Sequence, residues 1–437
     1  MRRGVFWIFV AGLMFGIVSS VDAAENNSVS LEEFNKLKAD YDQLKQEVQE
    51  LKKTISQQNQ SAPPSAAQPV AASQGASVEY VTADEFKKLK DQVKETRPGL
   101  SNFIVSGYGF TDYKESEGSP STFSAGVNPV FLWKASDKLL FETELELSLE
   151  DGDTSTNLEF ADAQYLLNDY VTGVAGKFIT PFGTFLDRHP KWINKLPDKP
   201  YGYPDGSAML VPESQIGAQI RGGIPLLRDS KVKYAMYVSN GPTVKTTATN
   251  AGELSFSNTN DNNHNKAFGG QVGFVPIPPL EVGYSWETSR VGANNTNFYR
   301  LDALVQGVDL SYVRDLDPIK GTVNFKAEQI WSHVDSVDYG TSGGAFQNDR
   351  WARYIQLSYR PDQVDLPFIK NLEPVFRFDQ IHHPSAAPTF VNHDRYTWGL
   401  DYWISPNVVT KAAYEKDLQS KGGANNHTFL LEAAVGF

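Results

Sequence analysis

The chain has 437 residues, a formal net charge of -12, 26 Phe, 19 Tyr, 8 Trp and no Cys. The acidic balance argues against a nucleic-acid-binding protein, and zero cysteine excludes disulfides, thiolate metal sites and c-type haem attachment in the chain itself. Length alone would divide into two or three soluble domains, unless one large closed barrel takes most of it.

Arg2 and Arg3 precede an apolar run from Gly4 to Val18, and Val21-Asp22-Ala23 or Asp22-Ala23-Ala24 supplies small residues for cleavage. That layout predicts a secretory signal peptide over residues 1–24. The run of about 15 apolar residues is short for a spanning helix, which needs roughly 20, and no later run approaches that length. The many aromatic residues of the mature chain therefore need another kind of environment.

Residues 25–55 are predicted to form a coiled coil, because Phe34, Leu37, Tyr41, Leu44, Val48, Leu51 and Ile55 recur at alternating spacings of 3 and 4, the seam of a heptad repeat. In that register Asp40 and Glu47 oppose Lys45 and Lys52 of a parallel neighbour, which favours a parallel homo-oligomer. Docking as one amphipathic helix is the alternative. Ser30 and Glu33 form a capping box. Residues 56–80, rich in Gln, Ala, Ser and Pro, read as a flexible linker. Residues 81–97 predict a second short coiled-coil helix, capped by Thr82 and Glu85, carried by Phe86, Leu89 and Val93, and ended by Pro98 and Gly99.

Residues 98–437 predict an all-β fold, a transmembrane antiparallel β-barrel of about 16 strands. The clearest strand is Leu139 to Glu150, where Leu139, Phe141, Thr143, Leu145, Leu147 and Leu149 alternate with Leu140, Glu142, Glu144, Glu146, Ser148 and Glu150. Similar alternation marks 268–274, 280–286, 304–312, 323–331, 355–359, 396–404 and 429–437. Short connections (135–138, 276–279, 315–318, 405–407) are expected to alternate with longer polar ones (241–266, 332–349, 419–427), the periplasmic and extracellular ends of a barrel. Trp286, Trp331 and Trp351 fall near upper strand ends, Trp133 and Tyr359 near lower ones, where aromatic girdles belong. A barrel of about 16 strands is wide enough to hold water.

Gly176-Lys177-Phe178 followed by Pro181-Phe182-Gly183, and Asn240-Gly241-Pro242 closing a strand, resemble the phosphate-selective porin O and P family and related coiled-coil-bearing trimeric porins. The resemblance implies a 16-stranded homotrimer in the bacterial outer membrane, with the coiled coil in the periplasm and the third extracellular connection, 180–213, folded into the lumen as a constriction. It also implies outer-membrane lipid and lipopolysaccharide as surroundings, and the terminal strand ending on Phe437 looks like the signal read by the barrel-assembly machinery. The implied activity is passive diffusion of small hydrophilic solutes. Arg188, Lys191, Lys195 and Lys199 exceed Asp187 and Asp198 in that connection, so an inward fold would favour anions. Lys177 on the wall is expected to join them, and Glu142, Glu144 and Glu146 to oppose them. Period 2 also points Arg221, Lys233, Arg300, Lys326, Arg377 and Lys411 inward, together with Asp162, Glu281, Asp302, Glu328 and Asp379, and no arginine ladder of the phosphate-selective kind emerges.

Neither a cofactor nor a metal is expected. The seven histidines fall in predicted connections or at strand edges, no Ser/His/Asp set converges, and adjacent His382 and His383 would point to opposite faces of a strand. An enzyme is therefore not expected. Two rival readings are a structural tether that uses the coiled coil, and a barrel that sheathes an electron-transfer cytochrome.

Overall fold

A computed structural model describes residues 102–437 apart from 151–152, 187–189, 205–208, 228, 248, 257–258, 341–343, 388–390 and 421–424. The expected signal peptide, both coiled-coil helices, the linker and Arg188 lie outside the described residues.

The strands are β1 (Phe103–Ser116), β2 (Thr122–Lys134), β3 (Leu139–Glu150), β4 (Asp153–Asn168), β5 (Val171–Ile179), β6 (Ser214–Pro225) and β7 (Lys231–Ser239). A two-residue pair, β8 (Thr243–Val244) and β9 (Leu254–Ser255), sits in the next connection. There follow β10 (Ala267–Ile277), β11 (Leu280–Arg290), β12 (Asp302–Leu316), β13 (Gly321–Asp338), β14 (Ala345–Arg360), β15 (Leu372–His382), β16 (His393–Ser405), β17 (Val408–Gln419) and β18 (Asn426–Gly436). All but β8 and β9 form one closed antiparallel barrel of 16 strands, each beside its neighbour in sequence, with β1 paired to β18. The expected fold class holds for the described residues.

Burial explains why these segments are strands. Along β14 buried and exposed residues alternate almost without fault, and the buried set includes polar residues: Asn348, Arg350, Gln356 and Ser358 are shielded, while Ile355 and Leu357 are exposed. On β15 and β16, likewise, Arg377, Asp379, Thr397 and Asp401 are fully buried, while Phe376, Trp398 and Leu400 are exposed. A soluble sandwich would reverse this arrangement. A barrel with an apolar outer band and a polar interior requires it. The outward aromatics fall into register: Trp286 is opposite Gln306, Gln306 opposite Trp331, Trp331 opposite Trp351, and Trp351 opposite His382. They form one girdle across β11–β15, and the Trp351 and His382 rings are stacked at 5.3 Å.

Closure is made at the two ends of the barrel chain. Gly107 N donates to the Phe437 carbonyl at 3.1 Å, Phe437 N to the Gly107 carbonyl at 2.9 Å, and Ser106 Oγ to Phe437 O at 2.8 Å. Gly107 has φ of 144°, and a Cβ there would stand 2.2 Å from the Asn128 carbonyl oxygen, so the seam depends on the missing side chain.

The connections at the end holding Phe103 and Gly436, termed lower here, are short at 135–138, 169–170, 226–230, 278–279, 317–320 and 406–407. The exception is 361–371, which includes a 3-10 turn at Ile369–Asn371. At the upper end, 180–213 and 240–266 are long, whereas β3 and β4 stay paired up to Glu150 and Asp153. The expected loop at 332–349 is mostly ladder, since β13 and β14 stay paired up to Asp338 and Ala345, past a register shift between Val334 and Val337. The inner face of this hairpin places Val334 and Phe346 in a buried apolar cluster, so strand pairing continues although the outer face is polar.

Candidate functional site: the barrel lumen

The interior is organised by the connection 180–213. Its base is pinned where Thr180 N donates to the Glu213 carbonyl at 2.9 Å. The chain then turns inward at Gly183, which has φ of 64° and whose N–H donates to Ser285 Oγ at 3.0 Å while its carbonyl accepts from Gln271 at 2.6 Å. A Cβ there would lie 2.0 Å from Glu328 Oε1 and 2.4 Å from the Tyr203 hydroxyl. The turn therefore requires glycine twice over, by backbone conformation and by space. Phe182, Phe185, Leu186, Tyr203, Leu210 and Val211 join a buried cluster with Val305, Ile330 and Tyr354 of the wall. Phe185 and Tyr203 rings meet at 4.9 Å, and the Tyr203 hydroxyl donates to Glu328. Leu196 is buried against Val375, Ala413 and Leu430, and Trp192 closes on Gly436. The protein's main core is thus a connection packed inside its own barrel.

The lysines of this connection each meet carboxylates. Lys191 Nζ lies 2.8 Å from Asp112 on β1 and 2.9 Å from Glu432 on β18. Burial alone would lower its pKa, but those two carboxylates outweigh burial and hold the ammonium above the usual lysine range. Lys195 pairs with Glu373 at 2.9 Å and Lys199 with Glu213 at 3.1 Å. Asp198 sits between two guanidiniums: it pairs with Arg377 and, at 2.8 Å, with Arg395, while Asp379 bridges the same two at 3.0 and 2.7 Å. Burial would raise the Asp198 carboxyl, but Arg377 and Arg395 reverse that and hold it below the usual carboxylate range. Three of the four basic site residues are therefore ion-paired inside the barrel, and Arg188 lies outside the described residues. Among the named wall charges, Lys233 pairs with Glu281 at 2.6 Å and Lys411 with Glu432 at 2.6 Å.

The acidic set lies on β3. Glu144 is buried and accepts from Asn128 at 2.9 Å; Glu142 accepts from Gln164, which in turn accepts from Arg221 at 2.7 Å. Glu146 is in hydrogen-bond contact with Glu159 of β4. Lys177 departs from a simple inward position. It lies opposite Ala161 and Ile216, at the last pair between β4 and β5, and its ammonium reaches the Leu158 carbonyl of the β4 segment that runs on above β5. Arg300 and Asp302 are not on the lumen wall either. Arg300 is exposed before β12 begins, and Asp302, with its side chain 61% exposed, pairs with Arg290 at 3.4 Å. The cluster of Asp198, Arg377, Arg395, Asp379 and Glu415 was not anticipated as a unit. Its only sequence signal is that Arg377 and Asp379 share a face.

A cavity of about 980 Å³ remains in the upper lumen, lined by parts of connections 180–213 and 240–266, by β4, and by Arg350, His383 and His393. The connection 240–266 reaches its wall, because Asn348 Nδ2 donates to the Gly252 carbonyl at 2.5 Å and Lys245 pairs with Glu253 at 3.0 Å.

No protein-family model matches the chain and no curated protein matches it. Solved structures do. OmpF of Salmonella typhi, in complex with daunomycin, aligns with TM-score 0.53 at 11% identity, over 77% of this chain and 97% of that one. An anion-selective porin from Comamonas acidovorans aligns at 0.50 and 10% identity, over 77% and 99%. The outer membrane channel DcaP of Acinetobacter baumannii aligns at 0.49 and 12%, over 77% and 97%. The described chain has the closed 16-stranded barrel fold found in bacterial outer-membrane porins.

Proposed function

We propose that the protein is an outer-membrane porin, a homotrimer whose barrels each pass small hydrophilic solutes by diffusion, with residues 180–213 as the constriction. The observation that carries this reading is the combination of a closed 16-strand barrel, a connection ion-paired inside it, and a cavity of about 980 Å³ beside that connection. Side chains would fill an 8-stranded barrel, whereas 16 strands leave aqueous space that an inward connection narrows. The expected coiled coil of residues 25–55 would set the trimer from the periplasm, and the lipid-facing girdle would seat the barrel among outer-membrane lipid and lipopolysaccharide.

The selectivity roles divide. Lys191, Lys195 and Lys199 act as staples, because each spends its charge on a carboxylate within 3.1 Å. Arg188 keeps the role of selectivity residue for anions, opposed by Glu142, Glu144 and Glu146, and Lys177 modulates the rim. The test is a planar-bilayer recording under salt gradients. Stepwise conductance is expected, with a reversal potential that moves toward cations in Arg188→Gln and stays put in Lys199→Gln. Absence of conductance steps would sink the channel reading, and an unmoved potential in Arg188→Gln the selectivity roles.

A further inference from the structure

Among the described residues three buried guanidiniums face the lumen, and they are not equally neutralised. Arg377 and Arg395 each hold two carboxylates, Asp198 and Asp379, and Glu415 stands 3.8 Å from Arg395. Arg350, at 5% exposure of its side chain, has no carboxylate within hydrogen-bond reach. Its nearest is Glu253 at 3.9 Å, whose other oxygen is 3.0 Å from Lys245. Nε donates to Asn348 Oδ1 at 3.0 Å, Nη1 meets His383 Nδ1 at 3.0 Å, and Nη2 has no partner. Burial and Arg350 itself push His383 down to about 4, so at neutral pH the imidazole is an uncharged acceptor and adds no positive charge. A buried guanidinium whose carboxylate stands beyond hydrogen-bond reach is incompletely compensated, and an anion that donates an acceptor to its unfilled Nη2 regains part of that energy.

Arg350 lines the upper-lumen cavity, and so do Glu159 of β4 and Glu213. Lys199 is committed to Glu213, whereas Glu159 has a second carboxyl, Glu146, against it. One side of the cavity thus holds a guanidinium nitrogen without an acceptor, and the other holds the Glu159 and Glu146 carboxyls set against each other, with Lys177 the cation near them. We propose that this cavity is a binding site for a small zwitterionic carboxylate of amino-acid type, with its carboxylate on the Arg350 guanidinium and its ammonium toward Glu159. A polyanion such as phosphate is disfavoured by Glu159, Glu213 and Glu253 in the same cavity. The proposal rests on the channel reading only for the route by which the solute arrives.

The test uses the purified full chain and 6-aminohexanoate, with hexanoate and hexylammonium as single-charge controls. Calorimetry in detergent is expected to show saturable binding of 6-aminohexanoate. Bilayer recordings are expected to show concentration-dependent current interruptions that Arg350→Gln reduces about tenfold or more, the loss of a charge-assisted hydrogen bond. Glu159→Gln is expected to weaken the interruptions by 6-aminohexanoate and leave those by hexanoate as they are. Conductance steps without saturable binding to the wild type overturn the site alone, a result that does not depend on the folding of any variant. Saturable binding without conductance steps keeps the site and overturns the channel reading. Equal interruptions in wild type and Arg350→Gln also overturn the site.

Discussion

Inside this barrel, buried ion pairs hold the connection 180–213 alongside its apolar packing. Asp198 neutralises both Arg377 and Arg395, so Asp198→Asn leaves two buried guanidiniums to share Asp379. Removing one partner of such a group costs about 3–5 kcal/mol, and the expected outcome is release of connection 180–213, read as new protease cleavage within it in otherwise folded barrels. The same pairs set a wide pH window. Asp198 has a folded-state pKa below its ordinary 3.8, so its contribution is complete above that value and lost as pH falls through the lowered one. Lys191 lies above its ordinary 10.5, so its contribution is complete below that value and lost as pH rises through the raised one. These two groups are therefore expected to add no pH dependence to the protease resistance of the connection between about pH 5 and 9. His383 behaves in the opposite sense to a paired histidine. Its folded pKa of about 4 lies below the ordinary 6.5, so the unfolded chain binds more protons between those values and stability falls as pH drops through that window. The loss is roughly 3 kcal/mol at most by pH 4. Thermal unfolding across pH 7 to 4 should show that slope in the wild type and a flatter one in His383→Asn.

At the scale of elements, the connection 180–213 was legible as a special segment because it combines aromatic residues, basic residues and a Pro-Phe-Gly turn. The turn has a physical basis in the structure: Gly183 needs φ of 64°, and its Cβ would strike Glu328 and Tyr203. Gly183→Ala is expected to cost about 1–3 kcal/mol from backbone strain alone. Its signature would be broadened, noisy single-channel conductance while the barrel stays folded. A quiet wild-type-like channel would contradict the constriction role. What the residues could not reveal is where the lysines would end. Lys191 and Glu432 are 241 positions apart, and Lys195 and Glu373 are 178 apart. Charge excess within the segment suggested a positive surface, but pairing across the lumen cancels it for the three described lysines. The upper hairpin of β13 and β14 was missed for a related reason, since its few apolar residues, Val334, Val337 and Phe346, are interspersed among polar ones and find their packing only against the inward connections.

For the molecule as a whole, the decisive event is closure. Each strand pairs with its sequence neighbour except at β1 and β18, which meet across the length of the barrel. Gly107→Val would force its side chain into the Asn128 carbonyl at the seam, and a marked loss of the folded, heat-modifiable barrel band on unboiled gels is expected. Full retention of that band would show that the seam tolerates a side chain.

Alternation at period 2, with the lengths of the connections, determined by itself that residues 98–437 form a barrel of about 16 strands, because each residue's neighbours two positions away share its face and its solvent. That pattern is local, so it survives without knowledge of partners. Tertiary structure alone decided which charges remain unspent. Lys191, Lys195 and Lys199 became staples and Arg350, an unremarkable residue of β14, was left beside a cavity with an unfilled nitrogen. Electrostatic role depends on distance through space, and closing a barrel brings together residues that the chain keeps hundreds of positions apart.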